Sequence, residues 1–221
     1  MNGKLIVFEG LDGSGKTTHT GLITKKLTEM GNDAKFISFP DYNEPSSTLV
    51  KMYLAGEFGK SADSVPAYAA STFYSVDRFA SFNKFWGNDY NAGKLFIADR
   101  YTTSNIIHQM TKLPPNQWNL YIDWIEDFEY KKIGLPKPDA VFYLDLDPAV
   151  SQALLSHRYR NDETKKDIHE SDLSYLNSCR ETAFYAIKKL GWIKIDLCND
   201  GKLLSKEENH KKILNEVLKV L

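Results

Sequence analysis

Cysteine is scarce in this chain: only Cys179 and Cys198 occur among its 221 residues. Two cysteines cannot form the dense disulfide framework of a small secreted protein, and they are typical of a reducing cytoplasm. The sequence also lacks an apolar run that approaches the ~18 residues needed to span a bilayer, and its N-terminus lacks the layout of a signal peptide. The sequence therefore predicts a cytoplasmic protein without a membrane partner.

An excess of charge of either sign is also missing. Lysine and arginine total 28 and aspartate and glutamate total 29, which gives a net charge of −1. This balance argues against a protein that binds a nucleic acid through bulk charge. The hydrophobic share of 42% and the charged share of 26% are ordinary for a globular chain, and the length is that of one domain. We expect a single domain over residues 1–221.

Short apolar runs bounded by Gly, Pro, Asp or Asn predict five strands. These runs cover residues 5–8, 34–39, 94–98, 140–144 and 192–196. Apolar residues recur at helical spacing in the stretches 17–30, 64–85, 115–132, 173–190 and 207–221. Strands of nearly continuous apolar residues that alternate with helices are typical of a parallel sheet covered on both faces. We predict an α/β fold with a five-stranded parallel sheet flanked by helices on both faces.

A glycine-rich segment joins the first predicted strand to the first predicted helix. Residues 10–17 read Gly-Leu-Asp-Gly-Ser-Gly-Lys-Thr and match the phosphate-loop pattern G-x-x-x-x-G-K-[ST]. In such a loop the backbone N–H groups and the helix N-terminus face the phosphates of a nucleotide. We expect Lys16 to reach the β- and γ-phosphates and Thr17 to bind Mg²⁺. The residues expected around ATP are Gly10, Leu11, Asp12, Gly13, Ser14, Gly15, Lys16, Thr17 and Thr18.

The residues at the end of the third predicted strand indicate whether the chain is a hydrolase or a phosphotransferase. Asp99 is followed by Arg100, where many hydrolysing ATPases have a glutamate that activates water. Because arginine stays protonated at any working pH, it cannot take a proton from water, but it can hold a second phosphate. Residues 83–86, Asn-Lys-Phe-Trp, lack the aspartate of the guanine clamp of GTP-binding switch proteins. The pattern therefore favours a phosphotransferase.

A kinase that acts on a nucleotide must also hold the acceptor phosphate, with cations around the transferred group. Arg78 and Arg100 are the candidates, and aromatic residues next to the first, such as Tyr74, can stack on a base. Taken alone, Arg78 also fits a solvated helix face, and Tyr74 also fits a core position.

Together these segments resemble the thymidylate kinase family, the P-loop kinases that convert dTMP to dTDP with ATP. The resemblance runs from residue 5 to about residue 196 and implies a P-loop kinase fold, a Mg²⁺ cofactor, the substrates ATP and dTMP, and a homodimer. The matching elements occur in family order: the phosphate loop with Asp12, Phe39-Pro40, the aromatic segment that ends in Arg78, Asp99-Arg100-Tyr101 with Ser104 and Gln109, the run Gly-Leu-Pro-Lys-Pro-Asp at 134–139, and the basic segment 158–170.

The resemblance implies how the acceptor nucleotide is bound. Asp12 is expected to hydrogen-bond the 3′-hydroxyl of the sugar, Tyr74 to stack on thymine and Arg78 to read a thymine carbonyl. Ser104 and Gln109 complete the base pocket. The other residues expected in the acceptor site are Phe39, Tyr101 and His108.

The resemblance also implies the residues that act on the phosphates. Arg100 is expected to grip the acceptor phosphate, and Asp99 to help place Mg²⁺ and the phosphate-loop lysine. The family carries its catalytic arginine either in the phosphate loop, just after the acidic residue, or in the lid. Gly13 occupies the first position here, so we expect an arginine finger from a lid at about residues 157–170, with Arg158 and Arg160 as candidates.

Three positions depart from the family pattern. No arginine follows Phe39-Pro40, where the family often has one that touches the acceptor phosphate. His108 stands where an aromatic residue often packs near C2′ of the sugar and excludes a 2′-hydroxyl. His169 replaces a usual aromatic residue at the end of the lid, and a histidine can titrate near neutral pH. These departures leave selectivity for dTMP open.

Three functions therefore remain to be weighed. The first is a dTMP kinase. The second is a P-loop kinase for another deoxynucleotide or for a deoxynucleoside, and a nucleoside kinase would need no clamp on an acceptor phosphate. The third is a regulator that binds ATP without transferring its phosphate. The resemblance favours the first.

Overall fold

The computed structural model describes residues 3–158 and 173–221, with the side chains of residues 157 and 158 excluded. Its strands are β1 (Lys4–Glu9), β2 (Ala34–Ser38), β3 (Leu95–Asp99), β4 (Ala140–Asp145), β5 (Ile193–Asp196), β6 (Cys198–Asn199) and β7 (Lys202–Leu203). Its α-helices are α1 (Lys16–Glu29), α2 (Thr48–Leu54), α3 (Ala67–Ser81), α4 (Gly87–Asn91), α5 (Thr103–His108), α6 (Trp118–Glu126), α7 (Pro148–Arg158), α8 (Leu173–Leu190) and α9 (Lys206–Leu218). The predicted lid from residue 159 onward, with Arg160 and His169, lies outside the described residues, as does the side chain of Arg158.

The first five strands form one parallel sheet in the order β2-β3-β1-β4-β5. The predicted five-stranded parallel sheet is therefore confirmed. The central strand is covered on both sides, and Leu5, Ile6, Val7 and Phe8 are all fully buried. This burial explains why β1 reads as a continuous apolar run rather than as an alternating one. The short hairpin β6–β7, which pairs antiparallel, is an addition that the apolar pattern did not predict.

Helices cover both faces of the sheet, as predicted. On one face, α1 and α9 pack against the sheet through buried aliphatic side chains such as Ile23, Leu27, Ile213 and Val217. On the other face, the larger core is built from α3, α5, α6 and α8 together with the aromatic residue Trp86. Among the described helices, none is both long and apolar enough to cross a membrane.

Two predicted helices are divided in the structure. The stretch 64–85 begins as a helix only at Ala67, because Val65 precedes Pro66 and adopts an extended conformation (φ −113°, ψ 125°). It ends in a turn of π-helix at residues 82–86 before α4. The stretch 115–132 likewise consists of a short 3₁₀ turn, α6 and a π-helical segment at 127–132. Most of the residues in these two stretches are helical, but the predicted boundaries were wrong.

The carboxyl ends of β1, β2 and β3 meet at one edge of the sheet. Phe8 of β1 lies beside Asp99 of β3, and Ser38 of β2 lies on the other side of Asp99. The backbone N–H of Arg100 donates to the carbonyl of Phe8 at 3.0 Å, so the chain after β3 is tied to β1. In open α/β sheets, ligands bind at this edge.

Candidate active site

The phosphate loop fills the turn between β1 and α1, as its sequence predicts. Gly13 and Gly15 have positive φ values of 84° and 78°, a conformation that side chains other than glycine rarely adopt. A Cβ atom at position 13 would lie 2.6 Å from the carbonyl oxygen of Ser151 in α7. Position 13 therefore has no room for an arginine side chain.

Lys16 extends from the start of α1 back over this loop. Its Nζ donates to the carbonyl of Leu11 at 3.1 Å and lies 3.3 Å from Oδ1 of Asp12. Burial and the nearby Arg100 guanidinium lower the pKa of Lys16, while nearby carboxylates, including Asp12, act in the opposite direction. The ammonium is thus held at the loop by a carbonyl and a carboxylate.

Thr17 and Asp99 meet at the same edge of the sheet. The Thr17 hydroxyl donates to Oδ2 of Asp99 at 2.5 Å. Oδ1 of Asp99 is buried and, among the described residues, accepts no hydrogen bond. Hydroxyl and carboxylate oxygens are the ligands that Mg²⁺ prefers, and Mg²⁺ in kinases takes one or two protein ligands besides phosphates and water. The oxygen atoms of Thr17 and Asp99 therefore fit the implied Mg²⁺. Within residues 3–158 and 173–221, no group of three or more His, Cys, Asp and Glu residues could hold a metal ion.

A cavity of about 400 Å³ opens beside the phosphate loop. Lys16, Thr17 and Asp99 lie at one part of its wall. All of the residues that the sequence predicted for the acceptor site also line it, namely Asp12, Phe39, Tyr74, Arg78, Arg100, Tyr101, Ser104, His108 and Gln109. Residues predicted to bind phosphates and residues predicted to bind a nucleoside thus line the same cavity.

Arg100 occupies the centre of this arrangement and has an unusual backbone. Its φ of 65° lies in the left-handed region, where arginine is rarely found outside functional sites. Its Nη2 donates to Oδ1 of Asp12 at 2.5 Å, and its Nη1 lies 2.9 Å from Nε2 of His108. Burial alone would raise the pKa of Asp12, but Arg100 and Lys16 outweigh it and hold that pKa well below its ordinary value. Asp12 is therefore a carboxylate at any working pH.

Arg78 is fully buried and forms an ion pair with Glu129. Its Nε and Nη2 donate to the two oxygens of Glu129 at 2.8 and 2.5 Å, and its Nη1 donates to the carbonyl of Tyr101 at 3.3 Å. The solvated helix face that the sequence left open for Arg78 is therefore wrong. The guanidinium lines the cavity but is anchored from behind by the carboxylate.

Glu129 was missed by the sequence reasoning. It also accepts hydrogen bonds from Ser75 at 2.8 Å, Thr102 at 2.9 Å and Asn105 at 3.1 Å. Asn105 itself lines the cavity and was missed as well. No local pattern marks Glu129, because its partners come from α3, α5 and the loop before α5.

Glu9 is a second buried carboxylate that the sequence reasoning missed. It accepts from the Thr103 hydroxyl at 2.6 Å and from the Ser104 hydroxyl at 2.8 and 2.9 Å. Burial raises the pKa of Glu9, while the Arg100 guanidinium and these hydroxyls lower it. Ser104, predicted for the base pocket, is thus oriented by Glu9. The position of Glu9 directly after the apolar run of β1 was the sequence signal that could have identified it.

The cavity wall also offers groups suited to a base. Tyr74 packs edge to face against Tyr53, with ring centroids 6.4 Å apart. Phe39 and Tyr101 form a second aromatic contact at 5.8 Å. The Oε1 atom of Gln109 is buried and accepts no hydrogen bond from the part of the chain that the structure describes. A buried acceptor of this kind is costly unless a ligand donates to it.

The comparisons with known proteins agree with this geometry. A sequence profile of the thymidylate kinase family matches residues 8–213. A thymidylate kinase from Caenorhabditis elegans is 35% identical over 158 residues, which cover 67% of this chain and 66% of that protein. One from Mycobacterium tuberculosis is 30% identical over 197 residues, which cover 85% of this chain and 87% of that protein.

A solved structure supports the fold. The thymidylate kinase of Candida albicans superposes with a TM-score of 0.65 at 23% identity, over 99% of this chain and 91% of that one. The family profile spans the phosphate loop, the Asp-Arg-Tyr element and the helices that build the cavity. On these grounds the chain belongs to the thymidylate kinase family.

Proposed function

We propose that this chain transfers the γ-phosphoryl group of ATP to dTMP and releases dTDP and ADP. Membership of the thymidylate kinase family makes the chain a kinase that phosphorylates dTMP. The observation that carries the assignment is that Lys16 and Arg100 line the same cavity, since they provide cations for a donor and an acceptor phosphate. We assign the activity to one kinase domain over residues 1–221.

The donor end of the site is the phosphate loop. Residues 10–18 would surround the phosphates of ATP, and Lys16 would exchange its contacts with Leu11 and Asp12 for phosphate oxygens. Thr17 and Asp99 would hold Mg²⁺, which, when bound, neutralises charge on the phosphates during transfer. An oxygen of the acceptor phosphate then forms the new bond to the γ-phosphorus, and the bond to the oxygen that bridges to the β-phosphate breaks.

The acceptor end of the site is the wall between α3 and α5. Arg100 would grip the acceptor phosphate, and Asp12 would accept a hydrogen bond from the 3′-hydroxyl. Tyr74 would stack on thymine. Arg78 and Gln109 would provide a donor and an acceptor to the edge of the base, and Phe39, Tyr101, Ser104 and His108 would complete the pocket. The burial of Arg78 and its ion pair with Glu129 support a fixed reading position.

The catalytic arginine is assigned to the lid. Arg158 and Arg160 are the candidates, and either would act as an arginine finger in cis. The close approach of Ser151 to position 13 supports this assignment, because the phosphate loop has no room for such a side chain. A lid that closes over the site would also exclude water, so that the phosphoryl group reaches dTMP rather than being hydrolysed.

We also propose a cytoplasmic homodimer. Val76 and Phe79 of α3 and the neighbouring Phe85 are exposed by 51%, 45% and 51%. Exposed apolar side chains of this kind suit an isologous contact with a second copy. Cys179 and Cys198 are not joined in a disulfide, which is compatible with the cytoplasm.

A coupled assay of ADP release tests the function. The purified protein is offered ATP with dTMP, dUMP, dGMP, dAMP or UMP as acceptor. We expect dTMP to have the highest kcat/KM. Negligible turnover of dTMP beside good turnover of another nucleotide would reassign the enzyme to that acceptor.

A further inference from the structure

The imidazole of His108 lies between the cavity and α8. Its Nε2 is 2.9 Å from Nη1 of Arg100, and its Nδ1 is 3.5 Å from Sγ of Cys179. The residue is 7% exposed, and its carbonyl accepts a hydrogen bond from the Tyr175 hydroxyl at 2.9 Å. Backbone and ring are therefore both held in place.

The contact with Arg100 determines which ring nitrogen carries the proton. A guanidinium has only donors and stays protonated at any working pH. At 2.9 Å, Nε2 of His108 must therefore be the acceptor, and in a neutral imidazole the proton then resides on Nδ1. The Nδ1–H group points to the Cys179 sulfur, and burial raises the pKa of that thiol, so it stays protonated. The contacts with Arg100 and Cys179 both fit the neutral Nδ1–H form.

We infer that neutral His108 is a positioning residue for Arg100, and that its protonation displaces the guanidinium and weakens binding of the acceptor phosphate. The inference rests on the proposed function, since it needs Arg100 to bind that phosphate. His108 fixes one branch of the guanidinium and Asp12 fixes the other.

Protonation of His108 turns its attractive contact with Arg100 into a repulsive one. An imidazolium would place an N–H group against an N–H group of Arg100 and add a second positive charge beside it. Asp12, whose carboxylate senses the charge of His108, favours the charged ring, whereas Arg100 opposes it at shorter range. Cys179 and Tyr175 face the ring from α8 and carry no charge at neutral pH, because burial raises both pKa values. Among these described groups, Arg100 makes the shortest contact with the ring, at 2.9 Å.

The first test is a measurement on the unliganded protein. Uniform ¹⁵N labelling and two-bond correlation spectra report which imidazole nitrogen is protonated, and His108→Gln assigns the signal. At pH 8 we expect the Nδ1–H tautomer, with the unprotonated shift at Nε2. A His108 ring protonated on Nε2 at that pH would overturn the inference, whatever the enzyme phosphorylates.

The second test compares pH profiles of kcat/KM for dTMP between pH 8 and pH 5. Gln offers an acceptor to Arg100 that does not titrate, whereas Phe keeps an aromatic ring without an acceptor. At pH 8 we expect kcat/KM of His108→Phe to lie on the order of tenfold below that of His108→Gln, the effect of one charge-assisted hydrogen bond. The KM for ATP should not change.

The acid limb of the pH profile distinguishes titration of the enzyme from titration of its substrates. The phosphates of dTMP and ATP also titrate near pH 6, so they contribute the same limb to every variant. We expect wild type to lose at least about threefold more activity than His108→Gln at the acid end. Identical profiles in wild type, His108→Gln and His108→Phe, with dTMP a good substrate, would overturn the inference alone. Absence of dTMP turnover in all three would instead overturn the proposed function.

Discussion

Arg100 and Asp12, which are 88 residues apart in the chain, form a contact of 2.5 Å between Nη2 and Oδ1. The pair joins the element after β3 to the phosphate loop. Because Lys16 lies 3.3 Å from the same Oδ1 atom, one carboxylate neutralises a cation of the donor end and a cation of the acceptor end. The site is thus organised around the charge of Asp12, which both substrates would share or displace in the proposed function.

Replacement of Asp12 tests this organisation. Asn has the same shape but cannot neutralise the two cations, so we expect Asp12→Asn to lower kcat/KM for dTMP by about 10- to 100-fold. Steady-state kinetics with dTMP as the varied substrate measure the loss. The matched control is Asp33→Asn, since Asp33 is an exposed carboxylate that pairs with lysines on the surface. Equal activities for the two variants would show that Asp12 has no special role.

Loss of the Arg100 side chain should reduce the rate far more than it reduces stability. We expect Arg100→Ala to lose on the order of 2–4 kcal/mol of transition-state stabilisation, roughly a hundredfold or more in rate. Arg100→Lys should recover part of the charge but not the two-branched contact with Asp12 and His108. A regulator that binds ATP without transfer would be insensitive to both changes, so unaltered function in Arg100→Ala would favour that class of protein.

The ion pair between Arg78 and Glu129 should matter for stability as well as for binding. Glu129→Gln leaves a buried guanidinium without its charge partner, and we expect it to lower the free energy of unfolding by about 3–5 kcal/mol. Urea denaturation measures this change. The control is Glu126→Gln, three residues earlier, whose carboxylate pairs with Lys137 at the surface and should be worth less than about 1 kcal/mol. Similar losses for the two variants would contradict the buried role of Glu129.

Two glycines near the start of the chain should respond in opposite directions. Gly13→Ala forces a Cβ to within 2.6 Å of the Ser151 carbonyl at a positive φ, so we expect a loss of about 1–3 kcal/mol in stability and weaker ATP binding. Gly21 lies inside α1, and a Cβ added there would meet no atom within 4 Å, so Gly21→Ala should stabilise the helix by about 0.5–1 kcal/mol. Thermal unfolding with and without ATP compares them, and a neutral Gly13→Ala would refute the steric argument.

Much of the fold could be predicted from local patterns. The five strands were found because buried parallel strands carry continuous apolar residues between turn formers. The phosphate loop was found because its backbone geometry restricts the residues at fixed positions. The predicted acceptor residues all line one cavity, because Tyr74 and Arg78 on α3 face Ser104 and Gln109 near α5.

Contacts between distant residues could not be predicted in the same way. Glu129 lies in a π-helical turn and meets Arg78, 51 residues earlier, by packing of α6 against α3. The local sequence around neither residue indicates this contact. The contacts of His108 with Arg100 and Cys179 likewise exist only because the fold places α5 beside α8.

The proposed reaction moves the γ-phosphoryl group of ATP onto the phosphate of dTMP. ³¹P NMR of a mixture of purified protein, Mg²⁺, ATP and dTMP follows the products directly, with thymidine in place of dTMP as the parallel sample. We expect dTDP and ADP to appear in equal amounts with dTMP, and no phosphorylation of thymidine. Release of inorganic phosphate without dTDP, or faster conversion of thymidine than of dTMP, would contradict the account.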